Sequence, residues 1–552
     1  MVVFESVNKL FEKSIKEHWE RPALSNYRGM TLCYKDIARR IAKMHIMYER
    51  CGLVKGDKVA ICSRNQANWG AAFLSAITYG AVPVPILHEF KPGNIHHLIN
   101  HSDAKVLFVD EVVWEGLEIS SMPELKAVIQ INNCHLLYAA TAAIQEMKDK
   151  LSEIFDQKYP EGIKPEDLNY YEDSPDELAL INYTSGTSGF SKGVMIPYRA
   201  LHGNLTLARR AESHMDCNSQ MVAMLPSAHM YGMMFELLFE LTIGAHVHFL
   251  TRVPSPKIIM QAMTDVKPDA VVAVPLIIEK VYKNTIKPIL EQSNIKFMLK
   301  VPVLDQVVMR KIKNEIMDAF GGRFEEIIIG GAAFNKEVDQ FFHKIGFPYT
   351  VGYGMTECAP IVCYSHWNES KLYSCGKPAD GMTIKIDSPD PENIAGEILL
   401  KGQNVFLGYY KNEEATKAAF TKDGWFRTGD MGVVDKDGYL YLRGRSKCMI
   451  LGPSGQNIYP EELESAINNI HYVVDSLVVE DDGLTALIYP DFSLAGHDGL
   501  SPEALEEHIK KMIAELNKEL PNYSHIKKVE IRPEDFERTP KRSIKRYLYQ
   551  RG

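Results

Sequence analysis

The chain has 552 residues, a net charge of −9, 45% hydrophobic and 24% charged residues. That length exceeds what one small core organises, so two or more domains are expected, and the composition excludes a disordered, collagen-like or coiled-coil chain. No apolar run is long enough to span a bilayer, the N-terminus meets charge within five residues and so does not read as a secretory signal, and the acidic balance gives no footprint for nucleic acid. The nine cysteines are scattered, odd in number and without a CxxC pair. Reduced thiols in a cytoplasmic enzyme fit this better than a disulfide framework or a zinc site.

In chain order, residues 58–62 read as a short buried strand, 68–81 as a helix and 82–87 as a second strand. Apolar runs at 104–110, 127–131, 178–183, 246–250, 269–274 and 325–329 continue the series, with helical stretches between. Short apolar strands spaced by helices predict parallel sheets covered on both faces, an α/β fold. Near residue 380 the rhythm changes. Residues 396–401 and 439–443 read as antiparallel strands, with Asp437-Gly438 as a hairpin turn. The last hundred residues read as a small α+β unit: a proline-initiated helix at 460–470, strands at 473–480 and 485–489 around Asp482-Gly483, an amphipathic helix at 502–520 and a strand at 528–531. The boundary is expected near 445–447, dividing the chain into 1–446 and 447–552.

The most informative segment is 183–194, YTSGTSGFSKGV, which follows an apolar strand. Its three glycines let backbone approach an anion closely. Its five serines and threonines donate to phosphate oxygens, and Lys192 adds charge. It is not a Walker A loop: counting from Gly186, the second glycine slot is Ser191, and Gly193 follows the lysine. Further candidates are LPSAHMYG at 225–232, GGAAF at 330–334, GYGMTE at 352–357, GWFRTGD at 424–430, GRSK at 444–447 and GQNIYPEELE at 455–464.

The first of these segments resembles the signature of the adenylate-forming superfamily of acyl-CoA synthetases, adenylation domains and luciferases. The others resemble that family's motifs in the same order, over roughly residues 20–550. The resemblance implies a large N-terminal domain of mixed and parallel sheets with helices and a small barrel-like β part, followed by a small mobile α+β domain. It makes Thr184, His229, Thr356, Glu357 and Lys545 catalytic candidates, with Thr184 and Glu357 at Mg²⁺. It assigns nucleotide or coenzyme A contacts to Ser185, Gly186, Thr187, Ser188, Gly189, Lys192, Gly331, Ala332, Ala333, Tyr353, Gly354, Asp430, Arg445, Lys447 and Gly455, and also places Lys447 at the hinge. By resemblance His229 lies beside the acyl pocket, Tyr353 stacks on adenine and Asp430 accepts from the ribose hydroxyls. A carboxylate such as Glu357 repels phosphates unless a bridging cation reverses the sign.

The tail departs from the pattern. Anchoring Thr539 and Arg546 puts Ser543 where the family carries a lysine that helps adenylation. Serine cannot supply that charge, which implies impaired adenylation. Three readings stand: Lys541 or Lys545 reaches the site instead, the group has been lost, or the register is shifted by two.

The implied reaction uses ATP, Mg²⁺ and coenzyme A: a carboxylate is converted to acyl-AMP with release of pyrophosphate, then transferred to the thiol. The tail and NVFLGYY at 404–410 look like bacterial long-chain fatty acid–CoA ligases. The acyl pocket is expected along 230–240, 330–334 and 351–354, a methionine- and phenylalanine-rich set that ordinary core packing explains equally well. Rival readings are a ligase for a short or aromatic acid, an acyl-AMP ligase serving a carrier protein, and a non-catalytic sensor of acyl groups or nucleotides. Small molecules are the expected partners, without nucleic acid; peripheral membrane contact through the acyl substrate is left open, and oligomeric state is not legible.

Overall fold

The computed structural model describes residues 3–184, 191–251, 255–301, 304–451, 456–481, 483–539 and 543–550. Its first layer is a five-stranded sheet in which Val82–Ile86, Lys58–Cys62, Ala104–Val109 and Ala127–Gln130 run parallel and Leu136–Ala139 closes the edge antiparallel. The helix Ala67–Tyr79 is buried along almost its whole length, because small residues let it pack on several sides at once. A side chain at Gly70 would come within 2.7 Å of Leu24, and Gly80 ends the helix in the left-handed region at φ +83°.

A second sheet orders Gln220–Ala223, His246–Phe249, Pro22–Asn26 and Thr31–Cys33, with only the last pair antiparallel. Val271–Ala273, Ile327–Ile329 and Tyr349–Val351 form a short parallel sheet. The expected strands at 269–274 and 325–329 are thus present but shorter. One expectation is corrected. The run at 178–183 does not continue the parallel series: Leu178–Thr184 pairs antiparallel with Lys192–Pro197, and Gly408–Tyr409 adds an edge to that hairpin. Seven intervening residues are too few for a parallel crossover.

Beyond residue 380, Met382–Asp387, Gly396–Gly402, Phe426–Val434 and Leu440–Arg445 make an antiparallel sheet, turning at Gly438 (φ +86°) as the sequence suggested. The last segment folds Val473–Glu480 and Leu484–Pro490 antiparallel, with Ile526–Ile531 parallel to the second, and packs the helices Pro460–Ile467 and Pro502–Glu519 against them. The main core runs from Val7 to Leu440; this segment has its own core, from Ile458 to Ile526. Polar contacts join the two: Lys336 and Arg443 reach Glu462 at 3.5 and 3.6 Å, Asn335 bonds Asn469, and Lys283 donates to the Val473 carbonyl.

The methionine-rich stretch divides between core and site. Met230, Met233, Met234, Leu237 and Leu238 are buried, whereas Tyr231 and Phe235 stay half-buried with their rings 6.1 Å apart. A five-residue π-helical turn spans Met234–Leu238. Glu236 is buried and accepts from the Met224 and Leu225 amides. Glu240 is also buried, with neither carboxylate oxygen hydrogen-bonded among the described residues, and burial pushes its carboxyl up to about 8. No described helix is long and apolar enough to cross a membrane.

Candidate active site

Thr184 and Lys192 face each other across the last rung of the Leu178–Thr184 / Lys192–Pro197 hairpin, both half-buried. The intervening candidates Ser185, Gly186, Thr187, Ser188 and Gly189 lie outside the described residues. The hairpin stem is braced from behind. The buried Tyr183 ring lies over Gly193, where an added Cβ would sit 3.2 Å from it. The Tyr183 hydroxyl meets His101 Nδ1 at 2.7 Å. Burial raises the Tyr183 phenol, and burial with nearby His97 and Lys411 lowers His101, so a neutral pair links the helix Pro92–Ser102 to the stem.

Glu357 lies on a single helical turn, Thr356–Cys358, beside half-buried Thr356. Its carbonyl accepts from the Phe406 amide at 2.9 Å, and its Oε1 accepts from the Tyr409 hydroxyl at 3.0 Å. Lys192 Nζ lies 4.7 Å from the centre of the same Tyr409 ring, a cation–π distance. The tyrosine therefore ties the loop lysine to the carboxylate. Burial, then Glu357, raises its phenol and keeps it a donor. Just upstream, a Cβ on Gly354 would come 2.3 Å from the Pro360 carbonyl, so only glycine fits.

Glu357 Oε2 has no bond among the described residues, and no cluster there gathers three metal-ligating side chains. A site with one carboxylate suits Mg²⁺, which takes one or two protein oxygens and completes its shell with water and substrate phosphates. The donor set present therefore fits that ion and not a protein-enclosed metal.

Asp430 and Arg445 are cross-strand partners in Phe426–Val434 and Leu440–Arg445. Asp430 is buried; its Oδ2 accepts from the Tyr353 hydroxyl at 2.7 Å and its Oδ1 lies 3.2 Å from Arg445 Nε. Burial raises the Asp430 carboxyl above its usual range, with Arg445 and Tyr353 opposing. The Tyr353 ring is itself buried, whereas Arg445 and Lys447 are exposed. Gly455 lies outside the described residues.

His229 precedes the short helix Met230–Met233, half-buried, with its amide bonded to the Pro226 carbonyl. Tyr231 donates to the Ile328 carbonyl at 3.0 Å, and its ring lies against Gly330, where a Cβ would approach within 3.2 Å. Gly331, at φ +89°, turns the chain so that Ala332 and Ala333 are exposed.

At the tail, Thr539 bonds the Ser543 carbonyl at 2.8 Å, and Lys545 Nζ pairs with Glu537 at 3.2 Å. Lys541 lies outside the described residues. Arg546 pairs with Glu464 and lies 4.0 Å from Glu461. Glu461 approaches Gly444, so the tail joins the segment that carries Arg445. Burial raises the Glu464 carboxyl to about 7 against the pull of Arg546.

Four stretches far apart in sequence thus converge as paired groups: Lys192–Tyr409–Glu357 and Tyr353–Asp430–Arg445. Residues 11–410 match the AMP-binding enzyme family, and residues 449–551 match the AMP-binding enzyme C-terminal domain. The chain belongs to the AMP-binding enzyme family. Its members are ATP-dependent, AMP-forming acid–thiol ligases. Among relatives, the chain is 28% identical over 564 residues to a long-chain-fatty-acid–CoA ligase, FadD15, of Mycobacterium bovis, covering 90% of this chain and 86% of that one. It is 26% identical over 515 residues to the long-chain-fatty-acid–CoA ligase ACSBG2 of Gallus gallus, covering 87% of this chain and 66% of that protein. The fold is similar to that of ATP-bound MatB from Rhodopseudomonas palustris, with TM-score 0.76, 21% identity and coverage of 99% and 98%.

Tyr409, Tyr183, His101 and Tyr231 were not singled out by the sequence reading. Tyr183, Tyr231 and Tyr409 sit inside segments that were, and the aromatic neighbour of a motif residue was the available signal. His101 has none, because its contact with Tyr183 spans 82 positions.

Proposed function

We propose that this protein activates a medium- or long-chain fatty acid as its acyl-adenylate and transfers the acyl group to coenzyme A. The observation that carries the reading is the joining of the phosphate-loop lysine to Glu357 through Tyr409. It sets a cation and a carboxylate at the mouth of a hydroxyl-rich loop, the pairing that a magnesium nucleotide requires. Thr184 and Glu357 would hold Mg²⁺, which supplies charge neutralisation at the phosphates. Lys192 and the loop hydroxyls orient the α-phosphate, Asp430 accepts from the ribose, and Tyr353 and Gly354 border the base. A carboxylate oxygen of the acid attacks the α-phosphorus, and pyrophosphate leaves. The coenzyme A thiol then loses its proton and attacks the acyl carbon, and AMP leaves. The chain's part is positioning and charge stabilisation rather than covalent chemistry.

The acid is read from half-buried Tyr231, which lies against Gly330, and Phe235 beside it, and from relatives named as long-chain-fatty-acid–CoA ligases. In this reading residues 447–552 turn about Lys447 between the two half-reactions. A panel of aliphatic acids of graded length and of aromatic acids, assayed by ATP–pyrophosphate exchange and by coenzyme-A-dependent AMP release, tests it. Exchange that rises with chain length is expected. Preference for an aromatic acid overturns the substrate, release that needs a carrier protein overturns the acceptor, and no turnover with any acid overturns the enzyme reading.

A further inference from the structure

The helices Ser293–Met298 and Leu304–Ala319 carry a face that the candidate site does not use. Phe297 is 68% exposed, Val307 46%, Leu304 37% and Val301 36%. A single exposed apolar residue is ordinary; four within eleven residues, on and beside two helices in contact with each other, are not. They are not the core side of the longer helix, because Val308, Ile312 and Ile316 fill that role at helical spacing. Leu304 and Val307 lie one turn apart and are neighbours on its outer surface.

The patch is ringed by cations. Lys296, Lys300 and Arg310 are exposed and have no ion pair among the described residues; Lys311 has only Glu315, at 3.8 Å. Residues 293–313 hold five lysines and arginines against one carboxylate, Asp305, a local excess of four positive charges in a chain of net charge −9. Lys296 and Lys300 each directly precede an exposed apolar residue, Phe297 and Val301. That alternation suits an interface with apolar depth and an anionic rim, since lysine stems lie along apolar surface while the ammonium stays outside. It suits a protein partner poorly, because lysine is depleted where proteins bury surface against each other.

We propose that this face docks on an anionic lipid bilayer, setting Phe297, Val301, Leu304 and Val307 into the headgroup–acyl boundary and Lys296, Lys300 and Arg310 against the lipid phosphates. The helices lie on the membrane and do not span it. The inference stands independently of which acid is activated, because docking needs no substrate.

Co-sedimentation of the full chain with phosphatidylcholine vesicles, with and without phosphatidylglycerol, tests it. Binding is expected only to the anionic vesicles and should weaken as salt rises. Lys296→Gln with Lys300→Gln should weaken it about 30-fold, at the usual contribution of a lysine near an anionic surface. Phe297→Ser with Val301→Ser should weaken it at all salt concentrations, and Lys417→Gln, on an unrelated exposed helix, should not alter it. Unchanged melting of each variant keeps folding out of the comparison. Equal binding by the Lys296/Lys300 variant, equal binding to neutral vesicles, or no binding by the parent overturns the proposal. So does a dimer in solution that Phe297→Ser dissolves, which would make a second copy the occupant.

Discussion

The two halves of the candidate site are built differently. On the N-terminal side, ladder register fixes each group: Asp430 opposite Arg445, Thr184 opposite Lys192, and Tyr409 on an edge strand against Val194. Apart from exposed Arg445, these groups are buried or half-buried, so a change at one leaves another without its mate. The C-terminal segment has its own small core and meets the larger part through surface ion pairs and a partly buried amide contact. Surface ion pairs contribute only about 0–1 kcal/mol each. The difference teaches that ladder register sets the groups of the larger part, whereas the ion pairs that hold the C-terminal segment against it are individually weak.

The largest expected effect tests the fixed side. Glu357→Gln should reduce ATP–pyrophosphate exchange on the order of 10²–10³, as for loss of a group that organises transferring charge. A loss below tenfold would remove Glu357 from the proposed role. Next, Ser543→Lys should raise acyl-adenylate formation, on the order of 10² if a missing cation limits that step. No increase would leave Lys541 or Lys545 as the reader of that charge, or move the tail register. Tyr409→Phe, which frees Glu357 while keeping the ring under Lys192, should raise KM for ATP about tenfold with a smaller change in kcat, in keeping with loss of one hydrogen bond to a charged group. If kcat falls instead, the hydroxyl acts on the reacting atoms.

Glu240→Met probes the buried frame beneath. A carboxyl held at about 8, against a usual value of 4.5, binds its proton more tightly when folded. Its contribution to stability therefore falls as pH rises from about 4.5 to about 8. The melting temperature of the variant relative to the parent should climb across that window. A flat difference would mean that folding leaves the Glu240 carboxyl at its ordinary value. The smallest effect belongs to the loose side. Glu462→Ala removes both ion pairs to Lys336 and Arg443, and should change stability by less than about 2 kcal/mol. It should alter thioester formation more than pyrophosphate exchange. A larger loss of stability would show that the two parts are fastened more firmly than surface pairs allow.

Much of the fold was legible where apolar runs are bounded by turn residues. The strands Lys58–Cys62 and Val473–Glu480 fall at the expected positions. Leu178–Thr184 was legible as a strand but not in its direction. A buried apolar run reads alike beside a parallel or an antiparallel neighbour, and only the shortness of the following link decides. The helices between 275 and 319 were not resolved, because their apolar residues serve both an inner and an outer face. At the site, motif positions were readable one by one. Their pairing was not: Tyr353 and Asp430 are 77 residues apart, and Tyr409 and Glu357 are 52. No local pattern carries such a contact.

The hairpin Leu178–Thr184 / Lys192–Pro197, which carries the proposed phosphate loop, has a consequence for affinity. With Thr184 and Lys192 clamped as a rung, and with Tyr183 wedged between Gly193 and His101, the two ends of the intervening seven residues are already brought together. The entropic cost of bringing those two ends together is met during folding of the sheet, so it is not charged to nucleotide binding. Loosening the wedge by His101→Ala would transfer part of that cost to each binding event, through a residue that acts on the stem by way of Tyr183.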